Sequence, residues 1–133
     1  MTSTAETGND LLDAASNGSL SDLERLIATG ADPNFRDVLS GGTSLHRTVG
    51  RGDLAATQLL LANGANPNIV TTNTSASPLG VAALSGYSEL VDLLLSVKAT
   101  LSTNEIATGL LAECRDAGFA DIANAIDAAT EDI

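Results

Sequence analysis

The sequence is poor in cysteine and in aromatic residues. It contains one cysteine, Cys114, so no disulfide can form within the chain. It has no tryptophan, and its aromatic residues are Phe35, Tyr87 and Phe119. The core must therefore be built from Leu, Ile, Val and Ala, and the abundant Ala and Leu favour helices.

Long apolar runs are also missing. The longest, such as 93–95, span a few residues, whereas a membrane-spanning helix needs about 20. The first ten residues have neither a basic region nor an apolar stretch, so they do not resemble a secretory signal. We therefore expect a soluble, cytoplasmic protein that does not associate with membranes.

Basic residues are scarce. Lysine and arginine together number 6 against 17 acidic residues, which gives a net charge of -11, and the single lysine is Lys98. This balance argues against binding to nucleic acid or to anionic lipid, because both attract Lys and Arg. It suits a basic partner, and it equally suits plain solubility or adaptation to salt.

What the sequence does contain is a repeat of 34 residues. The segment GADPN at 30–34 nearly recurs as GANPN at 64–68. The same spacing relates two further sets of positions, Leu11, Leu45 and Leu79, and Gly18, Gly52 and Gly86. A register shared by so many positions is typical of a solenoid built from two-helix units.

Each unit carries recognisable motifs. TSLHRTV at 43–49 and SPLGVAA at 77–83 are similar to the T-P-L-H-x-A-A of the ankyrin repeat, and GADPN and GANPN are similar to its G-A-D-x-N. Tetratricopeptide repeats fit less well, because large aromatics are missing and the polar segment between units is long. The chain resembles the ankyrin family over about residues 9 to 127. The resemblance implies an all-α helical solenoid with short β-hairpin-like fingers.

The turn chemistry agrees with this resemblance. Gly30 and Gly64 follow a helix at a position suited to left-handed backbone. The hydroxyls of Thr43 and Ser77 are expected to cap the first helix of their units. We expect two further residues to cap second helices, Ser19 and Asp53.

The third unit departs from the pattern. Lys98 stands where Gly30 and Gly64 stand in their units, and the sequence STNE at 102–105 is a capping box that can begin a helix directly. We predict that Lys98 keeps a right-handed conformation. We also predict that no finger forms between Thr100 and Glu105.

These features define one domain, at 9–129. Its units are 9–42, 43–76, 77–102 and 103–129, and the first and last units act as caps. The segments 1–8 and 130–133 are expected to be flexible tails.

The sequence offers no convincing catalytic, cofactor or metal site. His46, the single histidine, has no nucleophile or acid at a recognisable spacing, and by resemblance it braces the finger through hydrogen bonds. Cys114 aligns with Ala82, a small buried position, and one His plus one Cys cannot hold a metal. The glycines at 41–42 lack a following G-K-[ST] motif, so a turn is favoured over a phosphate loop.

Three of the six basic residues, Arg36, Arg47 and Arg51, fall in the same region of the repeat array. Two interpretations stay open. In the first, the arginines form local ion pairs, for which the candidate partners are Asp13, Asp37 and Asp53. Alternatively they form a positive notch that binds a carboxylate or phosphate.

By resemblance, the function is non-catalytic binding of a protein partner by a monomer. The contact surface implied is the concave face formed by fingers and first helices. Its candidate residues are Arg36, Val38, Leu39, Arg47, Arg51, Val70, Thr72, Asn73, Leu84 and Ser85. The alternative is an inhibitor or immunity-type protein whose acidic surface blocks a basic enzyme. That surface would comprise Glu89, Asp92, Glu113, Asp116 and Asp121.

Overall fold

The computed structural model describes residues 4–131, with the side chains of 4–6 and 131 left aside. This part of the chain forms helices and no strands. The helices are α1 (Thr4–Asn17), α2 (Leu20–Ala28), α3 (Ser44–Gly50), α4 (Leu54–Ala62), α5 (Pro78–Ser85), α6 (Ser88–Ser96), α7 (Thr103–Ala107), α8 (Leu110–Asp116) and α9 (Ala120–Glu131).

The helices pack in two layers. One layer is the series α1, α3, α5 and α8, and the other is α2, α4, α6 and α9, each helix contacting the next in its series. Each unit contributes one helix to each layer. The predicted all-α solenoid is therefore confirmed. Among the described residues, no helix combines the length and apolar character that crossing a bilayer requires.

The core follows the 34-residue register. Leu11, Leu45 and Leu79, which share one repeat position, are all buried. Leu60 and Leu94, at another shared position, are fully buried. Leu, Val, Ile and Ala fill the remaining space, so the shortage of aromatics leaves a core of small interlocking side chains.

Most of the predicted helix caps form. The Asp53 carboxylate accepts a hydrogen bond from the Ala56 N–H at 3.2 Å, and the Ser77 hydroxyl accepts one from the Gly80 N–H at 2.9 Å. The prediction for Ser19 is wrong, because it occupies the cap position without a side-chain cap bond. The backbone of Ser19 is extended, and α2 begins after it without a side-chain cap.

The asparagines of the two repeated phrases join neighbouring units. The Asn34 side chain donates to the Gly64 carbonyl at 3.0 Å and accepts from the Asn66 N–H at 2.6 Å. One unit later, the Asn68 side chain accepts from the Thr100 N–H at 2.8 Å. The recurring phrase thus ends a helix and binds it to the following unit.

The fingers are tight turns and do not form the expected β-hairpins within the described part of the chain. The first is closed by a bond from the Asp37 N–H to the Gly42 carbonyl at 2.8 Å. The second has the equivalent bond, from the Thr71 N–H to the Ala76 carbonyl at 3.0 Å.

The third unit has no finger, as predicted, but the conformation predicted for Lys98 is wrong. Lys98 has φ 66, which lies in the left-handed region that Gly30 (φ 99) and Gly64 (φ 93) also occupy. The chain then enters the short helix α7 in place of a finger. A left-handed residue, Gly109 (φ 81), separates α7 from α8.

The terminal helices extend into the segments assigned to tails. Helix α1 begins at Thr4, and α9 continues to Glu131. Gly8 in α1 is buried under the ring of Phe35, where a larger side chain would collide with the ring. Residues 1–3 and 132–133 of the predicted tails lie outside the described residues.

Candidate functional site

The tip of the first finger carries two exposed apolar side chains. Val38 is 88% exposed and Leu39 is 89% exposed, more than any other large hydrophobic residue in the described chain. Neither contributes to the core. Exposed apolar side chains on a loop are the kind of feature that marks binding surfaces.

The Asp37 carboxylate holds this tip in one conformation. It accepts hydrogen bonds from the Leu39 N–H at 3.1 Å, the Ser40 N–H at 2.8 Å and the Ser40 hydroxyl at 3.1 Å. The Ser40 N–H is the main reason that the pKa of Asp37 lies below its usual range. From sequence, Asp37 was expected only as an ion-pair partner. The spacing of Asp37 and Ser40 is typical of a turn closed by a side chain, and it is the signal from which this second role could have been predicted.

The two fingers lie side by side. The Thr72 N–H donates to the Ser40 carbonyl at 2.9 Å, and Arg36 Nη2 donates to the Val70 carbonyl at 2.7 Å. Gly41 permits this approach, since a side chain there would collide with the Thr72 hydroxyl. The predicted finger residues are therefore brought together on one continuous surface.

His46 braces the base of the fingers. Its Nδ1 accepts from the Thr43 N–H at 3.1 Å, so the proton of the neutral ring lies on Nε2, which donates to the Ala76 carbonyl at 3.0 Å. Burial is the main cause that lowers the pKa of His46 below 6.5. The ring is therefore neutral at pH 7, and it connects α3 to the second finger.

The other two arginines connect α3 to α1. Arg47 Nη1 donates to the Ser16 hydroxyl at 2.7 Å and to the Leu12 carbonyl at 3.4 Å. Arg51 Nη1 donates to the Ser16 carbonyl at 2.9 Å. Several of the N–H groups of these arginines are therefore already hydrogen-bonded to main-chain carbonyls of the neighbouring unit.

One of the three candidate ion pairs of this cluster forms within the described residues. Arg47 Nη2 lies 3.7 Å from Asp37 Oδ1. Neither Asp13 nor Asp53 lies within ion-pair distance of an arginine in this part of the chain, and Asp53 instead caps α4. The local ion-pair interpretation therefore describes Arg47 alone.

The remaining candidate residues lie at the far ends of the first helices. Arg51 follows α3 and is exposed, while Leu84 and Ser85 end α5 and are also exposed. At 1.5 Å per residue, the length of α3 places Arg51 about 12 Å from the finger side of the helix. The predicted residues thus form a finger-tip group and a helix-end group, both within the span of one protein interface.

Among residues 4–131, no three His, Cys, Asp or Glu side chains are placed to hold a metal ion. Cys114 is buried in α8, and burial raises the pKa of its thiol. Its Sγ lies 3.4 Å from the Ala83 carbonyl, a contact that suits a packed structural thiol.

A family model for ankyrin repeats, in three copies, matches residues 11–105, which is well over half of the chain. No curated protein matches the sequence.

Proposed function

Because this chain belongs to the ankyrin repeat family, whose repeats are generally protein–protein interaction modules and typically non-catalytic, we propose that it binds one protein partner through its fingers and first helices. The observation that carries this proposal is the exposed and ordered pair Val38 and Leu39. The partner would offer an apolar recess to that pair.

The order of the finger tip supports the proposal. Because Asp37 already fixes the turn, docking would not have to order a flexible loop, and that saving favours affinity. The neighbouring finger adds the exposed polar residues Thr72 and Asn73 beside the apolar pair. An apolar centre with a polar rim is the usual composition of a specific interface.

Arg51 supplies a second contact at the other end of α3. Its Nη1 donates a hydrogen bond to the Ser16 carbonyl. Its other guanidinium nitrogens have no hydrogen-bond partner among the described residues. We place an acidic group of the partner there, because a guanidinium and a carboxylate form a strong charged hydrogen bond. Arg51→Ala should weaken binding by about 1–3 kcal/mol.

The test compares proteins captured by the wild type and by a double variant, Val38→Ser with Leu39→Ser. Both side chains are exposed, so the variant should keep the wild-type melting temperature. The matched control is Ile106→Ser, which removes an apolar residue that is 63% exposed and lies in α7, outside the two fingers.

A specific partner should be recovered by the wild type and the control and depleted at least tenfold with the finger variant. Titration with the purified partner should then show the same order of affinities. Equal recovery by all three proteins would overturn the proposal.

The acidic-inhibitor alternative has an observation of its own. The carboxylates of Glu89, Asp92, Glu113, Asp116 and Asp121 are all exposed, and none has an ion-pair partner in the described structure. Binding through them should weaken steeply between about 50 and 500 mM salt, because salt shortens the screening length. Loss of affinity in Glu89→Gln and Asp121→Asn, without loss in the finger variant, would favour this alternative.

A further inference from the structure

A cleft opens at the C-terminal end of the solenoid, where the third finger is replaced by α7. Its volume is ≈ 600 Å³, within the range of about 300–1,000 Å³ that holds small molecules. The residues lining it come from α5, α6, α7, α8 and α9 and from the segment 98–101.

The cleft has an apolar floor. Leu79, Ala99 and Ile126 are buried, and Leu95, Leu101 and Leu111 are partly buried around them. The lining residues that remain exposed are polar apart from Ile106, and they form the rim. A hydrocarbon chain lying on this floor would be shielded from water, and the burial of each methylene group would favour binding.

The rim carries one uncompensated positive charge. Among the described residues, each of the five arginines has a hydrogen-bond or ion-pair partner, and the Lys98 ammonium has none. The one acidic lining residue, Asp127, is paired with Arg115 at 2.6 Å. Lys98 is thus an isolated cation beside an apolar cleft, in a chain of net charge -11.

The backbone of Lys98 adds an independent observation. Its φ of 66 is the conformation that glycine adopts at Gly30 and Gly64, and a side chain there costs conformational energy. Steric contact does not require glycine at this repeat position, since a Cβ added at Gly30 or Gly64 would meet no atom within 4 Å. Asn68 bonds the Lys98 carbonyl and the Thr100 N–H and so holds the backbone in this conformation. A lysine at a position where glycine would avoid the strain points to a role for its side chain.

We propose that this cleft binds an aliphatic carboxylate of the fatty-acid class. The hydrocarbon chain lies on the floor formed by Leu79, Leu101 and Ile126, and the carboxylate pairs with the Lys98 ammonium. Charge complementarity selects this class, because the rim attracts an anion and the floor accepts only apolar groups. This site is separate from the finger-tip surface, so it stands whether or not the fingers bind a protein.

Titration with decanoate below its micellar concentration tests the proposal. Binding would be followed by calorimetry and by amide chemical shifts. The uncharged decanol serves as the matched ligand control, and Arg25→Gln, which removes an exposed cation in α2, serves as the matched protein control. We expect decanoate to bind the wild type and Arg25→Gln equally and to shift amide resonances of residues lining the cleft.

Four comparisons decide the result. Lys98→Gln should weaken decanoate binding about tenfold or more, which is the effect of removing a charged hydrogen bond. Lys98→Arg should retain it, and Ala129→Leu, which narrows the cleft from α9, should weaken it with the charge intact. Lys98→Gly should lose binding while raising the melting temperature by about 3 °C, because the backbone strain is relieved.

Three outcomes would overturn the proposal. The first is binding of decanol with the affinity of decanoate, and the second is unchanged decanoate binding by Lys98→Gln. The third is absence of decanoate binding by the wild type at millimolar concentration, including the case in which the cleft is covered by a second copy of the chain.

Discussion

At the scale of single residues, polar side chains join one unit to the next through hydrogen bonds. Asn34 and Asn68 bond the backbone of the following unit, and Arg51 reaches back to the Ser16 carbonyl. His46 has a comparable role at the fingers, with the added property that it titrates.

His46 should make stability depend on pH. Its folded pKa is lowered below 6.5, so the unfolded chain takes up the proton first as pH falls. The stabilisation is fully present above pH about 6.5 and is lost as pH decreases from there towards the folded pKa. We expect the melting temperature to fall between pH 7.5 and 5.5.

The measurement is a series of thermal melts across that range for wild type and His46→Gln. Most carboxylates titrate near pH 4 in unfolded chains and contribute little to the interval. The variant should be less stable at pH 7.5 and nearly independent of pH. Parallel profiles for the two proteins would show that His46 is not the titrating group.

At the scale of elements, α7 occupies the place that a finger has in the two preceding units, and a buried carboxylate holds it there. Glu105 in α7 is 6% exposed, and its carboxylate accepts from the Ser77 hydroxyl at 2.6 Å and from the Ser102 N–H at 2.7 Å. Gly80 leaves the room for this carboxylate, since a side chain there would collide with it. In the preceding unit, His46 occupies the position equivalent to Gly80.

Gly80→Ala should therefore displace the Glu105 carboxylate. We expect a loss of about 1–3 kcal/mol in the free energy of unfolding, as for other overpacked sites. In the Glu105→Ala background the obstacle is gone, so the two losses should be clearly less than additive. Urea unfolding of both single variants and the double variant measures this coupling.

Gly50→Ala is the control for the glycine change itself. Gly50 ends α3, and a Cβ there would meet nothing within 4 Å. It should be neutral or should stabilise by up to about 1 kcal/mol, because Ala favours helices over Gly. Additive losses at Gly80 and Glu105 would contradict the steric explanation.

At the scale of the whole molecule, the core runs along the stack as two clusters of buried residues that share a partly buried neighbour. Leu45, Leu60 and Leu94 belong to its larger cluster, and Leu11 and Leu23 to a smaller one at the N-terminal end. Ile27 packs against both clusters. With few units and shared interfaces, the stack should unfold as one cooperative structure.

Leu60→Ala tests this connection. The side chain is fully buried in α4, so its truncation should cost about 2–5 kcal/mol. Urea unfolding should give coincident transitions by circular dichroism and by the fluorescence of Tyr87, both shifted equally. Gln58→Ala, an exposed change on the same helix, should shift neither, and a shift confined to one probe would contradict cooperative unfolding.

The repeat, the two-helix unit and most of the caps were predictable from sequence, because they rest on short-range chemistry. The 34-residue register places Leu45 and Leu60 in the core, and the chemistry of Asp53 and Ser77 shows in the residue itself. The missing third finger was also predictable, since Ser102 and Glu105 form a capping box over four residues.

Tertiary structure decided the features that depend on neighbouring units. Local preference assigned Lys98 a right-handed conformation, but its carbonyl and the Thr100 N–H both bond Asn68 of the preceding unit, which requires the left-handed turn. From sequence, the arginines were expected to form ion pairs or a ligand-binding notch. In the structure, Arg47 and Arg51 donate hydrogen bonds to main-chain carbonyls of α1. The cleft beside Lys98 is lined from both α7 and α9, and a juxtaposition of segments so far apart in the chain has no signature in local sequence.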